Sequence, residues 1–209
     1  MLIAAVAAVV LASMAFAQGG GKGHGDGKGQ GDGKGQDMLR AKLTELNGSG
    51  ANGVARLSLD GTELTTKINS RGLSENLPHA QHSHGEDQAK NECPSLAADN
   101  NGDDLVSTSE GLPSYGPIRV SFTTSGDTTP ASALALDRFP EANSGRAFKY
   151  NETFDIPEEV ANNLGKLHIV QHGVDLNGNG VYDGPASDLD PSVPLEAELP
   201  ATCGTINPR

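Results

Sequence analysis

From Gly53 onward the apolar positions recur mostly with a period of two, the mark of half-buried strands. Ala55, Leu57 and Leu59 alternate with Arg56 and Ser58, and Asp60-Gly61 follows as a hairpin turn. Leu64, Thr66 and Ile68 form the return strand. Further on, Pro78 opens a segment that runs through His79, His82 and His84 to Gly85. Ile118, Val120 and Phe122 alternate with Arg119, Ser121 and Thr123. Leu167, Ile169 and Gln171 alternate with His168, Val170 and His172, and Leu195, Ala197 and Leu199 predict a last short strand. One short helix is expected, with Asp155 as N-cap, Pro157 near its first turn and Gly165 past its end. Many short strands separated by turn residues predict an all-β sandwich or barrel.

Composition sharpens this picture. The chain has 209 residues and 27 glycines, no tryptophan and 35% hydrophobic residues. Much of that hydrophobicity lies at the start: Met1–Ala17 has Ser13 as its only polar residue and ends in Ala15-Phe16-Ala17, the small-x-small pattern of a signal peptidase site. Residues 1–17 are therefore read as a signal peptide, and the protein as secreted, with no stable membrane insertion after cleavage. Residues 18–36 repeat the hexamer GDGKGQ in tandem and form a Gly-rich linker with nothing to bury. Residues 37–209 make up the folded domain. A formal net charge of −12 argues against nucleic acid as a partner. The oligomeric state is open.

Two kinds of residue carry candidate chemistry. Cys93 and Cys203 are the two cysteines, and in an exported chain a single bridge between them is expected. Five of the six histidines fall in two groups, His79/His82/His84 and His168/His172. On a strand His82 and His84 share a face about 6–7 Å apart, so two imidazoles can converge on one ion, copper or zinc.

Two Asp/Asn-rich runs have the oxygen spacing of a twelve-residue calcium loop. The first is Asp99, Asn101, Asp103, Leu105, Ser107 and Glu110, with Asp104 in place of the usual glycine. The second is Asp175, Asn177, Asn179, Val181 and Asp183, with Ala186 where a carboxylate would close the loop. Neither is expected between two full helices, so both read as calcium staples in a β scaffold.

The run Gly72 to Gly85, with His79, His82 and His84, resembles the strand of the copper/zinc superoxide dismutase family that carries two copper ligands. Cys93 follows at that family's spacing. Ile169-Val-Gln-His172, followed by Asp175, resembles the strand delivering a late copper ligand, and Leu199–Ile206 with Cys203-Gly resembles the family's C-terminal strand. The resemblance implies a Greek-key β-sandwich or barrel, a Cys93–Cys203 disulfide, copper on His82, His84 and His172, and superoxide as the small-molecule substrate. His79 or His168 would be the fourth ligand. The departures are specific. Asp99 stands where the bridging histidine would fall, residues 85–167 hold no histidine after His84, and Pro200 replaces the family's guiding arginine. No zinc site is expected. The histidine strand also resembles CHRD domains, which leaves a non-catalytic adhesion or matrix module, and a copper carrier, as competing functions.

Overall fold

The computed structural model describes residues 37–209; the expected signal peptide and linker lie outside the described residues. Eight antiparallel strands form one curled sheet. They are Asp37–Glu45 (β1), Asn52–Asp60 (β2), Glu63–Arg71 (β3), Gln81–His84 (β4), Ile118–Ser121 (β5), Ala147–Asp155 (β6), His168–His172 (β7) and Pro200–Pro208 (β8). The order across the sheet is β5-β4-β7-β8-β1-β2-β3-β6. Strands β4, β6 and β7 each pair away from their predecessor in the chain, and these three crossovers make the connectivity Greek-key. Strand β8 joins the halves, pairing with β7 through Pro200–Thr205 and with β1 through Thr202–Pro208. The all-β Greek-key architecture expected from the sequence is the one formed.

The period-two reading places β2 and β3 correctly: Ala55, Leu57, Leu64 and Ile68 are fully buried, while Arg56, Lys67 and Asn69 are exposed. Their inward side chains meet Leu43, Phe122, Phe148, Ile169 and Ile206 in the main core. The open side between β5 and β6 is crossed by the Tyr150 hydroxyl, which donates to the Thr123 carbonyl at 3.0 Å.

Three local expectations are corrected. Leu195–Leu199 is not a strand. Leu195–Glu198 forms a single helical turn (α3) closed by Leu199 N–H to Leu195 O at 3.0 Å, and the strand begins at Pro200. An alternation over so few residues does not separate one helical turn from a strand. Asp155 does not cap a helix, because β6 consumes it in register with Glu63; Pro157 caps Glu158–Asn163 (α2) instead. There is more than one helix: Thr108–Tyr115 (α1) follows the first acidic loop, started by a capping box between Ser107 and Glu110. That loop is therefore entered by the short 3-10 turn Leu96–Ala98 and left by α1. No helix among the described residues is long and apolar enough to cross a membrane.

Candidate metal centre

Strands β4 and β7 are buried on both faces. One face looks into the barrel, where Gln81, Gln171, Ser70 and Thr202 share a buried network: Ser70 Oγ donates to Gln171 Oε1 at 2.7 Å, and Thr202 Oγ1 to the same oxygen at 3.2 Å. The opposite face looks outward and carries His82, His84 and His172. Chain segments on either side of these strands roof it over. His84 and His168 are register partners across β4 and β7, as are His82 and Val170. Register irregularities at His84 and His172 adjust the aim of both rings.

The three rings converge. Their centroids lie 5.1 Å (His82–His172), 5.7 Å (His82–His84) and 6.0 Å (His84–His172) apart. One donor atom from each lies within 4.8 Å of the others, and among the described residues this is the one group of three or more His, Cys, Asp or Glu that converges so. Each ring also has one nitrogen tied to a main-chain carbonyl: His82 Nε2 to Ala133 at 3.2 Å, His84 Nδ1 to Gly116 at 2.8 Å, and His172 Nδ1 to Glu198 at 2.7 Å. A carbonyl only accepts, so each tied nitrogen carries the proton. The other three nitrogens, His82 Nδ1, His84 Nε2 and His172 Nε2, are buried and have no hydrogen-bond partner. Three fixed lone pairs in a dry site suit a borderline-soft metal ion, and a carbonyl behind each ring is the usual support for a ligating histidine.

Burial, aided by mutual repulsion of the rings, keeps the histidines neutral. His84 is lowered to about 3 by desolvation and then by His172, and His172 to about 4 by desolvation. Desolvation also pushes His82 well down, with His172 and His84 adding to it.

Neither candidate for a fourth ligand joins the group. His79 has both ring nitrogens beside main-chain carbonyls, Nδ1 2.8 Å from His172 and Nε2 2.9 Å from Ser74; burial keeps the ring neutral, so its single N–H serves these two acceptors and it braces the main chain there. Gly173 makes room for that brace. Its φ is +100°, and a Cβ there would overlap the Tyr182 hydroxyl and His79 Nδ1. His168 lies outside the converging group, with Asn91 and Glu92 as neighbours.

The site opens into a pocket of about 110 Å³ walled by Ile118, Ala133, Leu134, Leu136, Leu189 and Val193. No lysine or arginine lines it. One carboxylate does: Glu198 is buried, Ser187 donates to one of its oxygens, and the other has no partner. Desolvation raises its pKa. No local motif marks Glu198, because its contribution depends on α3 turning it back over β7. Thr108, whose hydroxyl donates to the Glu198 carbonyl at 2.6 Å, went unnoticed with it. The S-x-x-E pattern at Ser107–Glu110 was the signal that could have located α1 and Thr108.

Cys93 and Cys203 form the expected disulfide, with Cα atoms 5.7 Å apart. It anchors the segment after β4 to β8, and the cysteines pack with Tyr115 and Val170 beside the histidines. Tyr115 in turn lies 4.6 Å from the His84 ring, centroid to centroid.

The acidic runs form compact exposed loops. Asp99 accepts main-chain N–H groups from Asn101, Gly102 and Asp104, chiefly Gly102, which hold its carboxyl below the usual range. Asp103 accepts from Leu105, and the Glu110 carboxylate accepts from Asn100 and Ser107. The Ser107 hydroxyl turns to Asp188 at 2.8 Å. In the second loop Asp175 accepts from Gly178, Asn179 and Gly180, while Asn177 and Asn179 donate to Asp183. Val181 is exposed, its N–H on the Asn179 side chain. Ala186, at the closing position, offers no carboxylate. Instead Glu196 reaches across from α3 and accepts from Leu176 at 3.0 Å and Asp183 at 2.9 Å.

No known protein-family profile matches the chain, and no curated protein matches it. Among solved structures it is similar to the copper(II) form of Candida albicans superoxide dismutase 5, at 16% identity over 83% of this chain and 93% of that one, with a TM-score of 0.45. Two variants of the same enzyme match at 18% and 13% identity, over 82% and 83% of this chain and 92% and 90% of theirs, with TM-scores of 0.42 and 0.39.

Proposed function

We propose that this chain is an exported copper protein that binds one copper ion through His82 Nδ1, His84 Nε2 and His172 Nε2 and dismutes superoxide there. The observation that carries the reading is the set of three buried, unpartnered nitrogens, each on a ring whose other nitrogen is fixed by a carbonyl. Copper held there would supply one-electron redox chemistry. The chain's own residues prepare the site: Ala133, Gly116 and Glu198 set the tautomers, His79 and Thr108 brace the main chain behind His172, and the pocket admits a small molecule while its apolar walls exclude bulk water. The resemblance of the histidine strands to the copper/zinc superoxide dismutase family supports the choice of copper, and among the described residues no second group of His, Cys, Asp or Glu ligands converges beside the triad.

A copper carrier without turnover is the second reading, favoured by one observation. The pocket walls put no lysine or arginine at the mouth, so an anionic substrate has no local steering toward the site. Calcium in the two acidic loops belongs to the same proposal as a structural ion, supported by the Asp/Asn oxygen spacing of each run.

The test is elemental analysis of the purified mature protein with a dismutase assay on the same sample. One copper per chain with turnover supports the enzyme, and one copper without turnover supports the carrier. Unchanged copper content after His82→Ala with His84→Ala would remove both.

A further inference from the structure

The outer face of β1, β2, β3 and β6 carries a concentration of positive charge unmatched elsewhere among the described residues. The register partners Arg40, Arg56 and Lys67 stand directly opposite one another on three adjacent strands, all exposed. Lys42 and Lys149 lie one row along, at either end of the row Lys42–Val54–Asn69–Lys149, and Arg71 lies in the row after that. These six are half of the Lys and Arg residues of the described chain, in a protein whose formal net charge is −12. All but Lys67 line a shallow concavity of about 510 Å³. Among the described residues none of the six takes part in an ion pair.

Like charges directly opposite on neighbouring strands destabilise a sheet. The face could relieve this with its own carboxylates, and it does not. Asp60, Glu63 and Asp155 share the face but form a row of their own by the β2–β3 turn. Four residues along β2 separate that row from Arg56, about 13 Å, beyond the screening length of about 8 Å in physiological salt. The arrangement costs stability and gains nothing within the chain.

We propose that this face binds a linear acidic polysaccharide, with successive sulfates or carboxylates on Arg40, Arg56 and Lys67 and further charges on Lys42, Lys149 and Arg71. The spacing between strands, about 4.8 Å, suits one charged sugar per strand along a chain laid across the sheet. The carboxylate row excludes broader anions: a membrane surface or a duplex would meet Asp60, Glu63 and Asp155 as well. No aromatic side chain stands on the face to stack bases, as a single-stranded nucleic acid would need. The face lies on the half of the sheet away from β4 and β7, so an occupant leaves the histidine pocket open.

Heparin binding to the full chain, measured by calorimetry across a salt series, tests this. Binding should weaken with salt at a log–log slope of about 5, close to one counterion for each of the six cations. The triple variant Arg40→Gln, Arg56→Gln, Lys67→Gln should lose at least tenfold in affinity and melt at a higher temperature than the parent, because the repulsion is gone. Lys166→Gln, away from the face, should bind as the parent does. Equal heparin affinity in the triple variant, or no binding at low salt, would overturn the proposal. Duplex DNA or anionic phosphatidylserine vesicles bound as tightly as heparin would overturn the assignment to a polysaccharide.

Discussion

Nδ1 of His172 lies 2.7 Å from the main-chain carbonyl oxygen of Glu198, the residue whose side chain lines the pocket over the same histidine. One turn of helix thus fixes the tautomer of a candidate ligand and places a buried carboxylate at its mouth. Thr108 holds that turn through the same carbonyl. Thr108→Val should remove this support without filling the pocket. Copper affinity should fall by about tenfold, in line with losses of partners behind metal ligands. Competition against a chelator measures it, and an unchanged affinity would show that the roof does not position His172.

The neutral triad makes the metal-free protein acid-sensitive. His84 and His172 are lowered to about 3 and about 4 from an ordinary value of 6.5. Between those limits the unfolded chain binds more protons than the folded one, so stability is full above pH 6.5 and falls as pH drops toward 4. A fall of the order of 10 °C in melting temperature between pH 7 and pH 5 follows for the apo protein. Replacing His84 and His172 together by Gln should flatten that slope. A melting curve that does not move over this range would mean that the rings are solvated.

The parts of this architecture that rest on local pattern were legible in the sequence, and those that rest on long-range pairing were not. Alternation of Ala55, Leu57 and Leu59 gave β2, and the His-x-His spacing gave two rings on one face. Strand β1 alternates Leu39, Ala41 and Leu43, but it follows directly on the Gly-rich run and has no hairpin turn to mark its start. Strand β6 escaped because Phe148 and Tyr150 are its only fully buried apolar residues. His79 carries the same side chain as the ligand candidates, and only its two carbonyl partners reveal its bracing role. Glu196 completes the second acidic loop from a position 20 residues beyond Leu176, outside any local motif.

The disulfide closes a separation of 110 residues and ties the roof segment to β8. In the chain-entropy view such a link stabilises by up to about 4–5 kcal/mol. Cys93→Ser with Cys203→Ser should lower the melting temperature by roughly 10 °C. It should also loosen the His84–Tyr115 contact, raising the copper off-rate. Mass spectrometry of the parent should show two hydrogens missing, and two free thiols in freshly exported protein would refute the link.

The apolar mouth predicts a gain of function. Leu134 is partly exposed at the rim of the pocket, and no lysine or arginine lines it. If superoxide is the substrate, Leu134→Arg should raise the second-order rate several-fold at low salt, and the gain should shrink as ionic strength rises. Copper content should not change. A rate that ignores both the new charge and the salt would place the limiting step elsewhere than approach of the anion.

Calcium should act on stability through two separable loops. At the first, Asp99, Asp103 and Glu110 ring a turn in which Asp104 adopts a positive φ of 64°, so the residue in the usual glycine position tolerates the bend. At the second, where Ala186 offers no carboxylate, Glu196 on α3 accepts from the Leu176 and Asp183 main chain. An ion bound only by the folded state stabilises it by about 2.7 kcal/mol at a hundred times its Kd. Millimolar calcium should therefore raise the melting temperature by several degrees, and a chelator should reverse the shift. Asp99→Ala should remove one part of it and Asp175→Ala the other. Glu196→Gln is the sharper test: it keeps the side chain's shape and should still abolish the second part, since a carboxamide lacks the charge. If the shift survives in Glu196→Gln but not in Asp175→Ala, the second loop binds its ion without help from α3. If calcium, chelator and all three variants leave melting unmoved, both loops are turns held by their own Asp and Asn hydrogen bonds, and calcium has no structural role here.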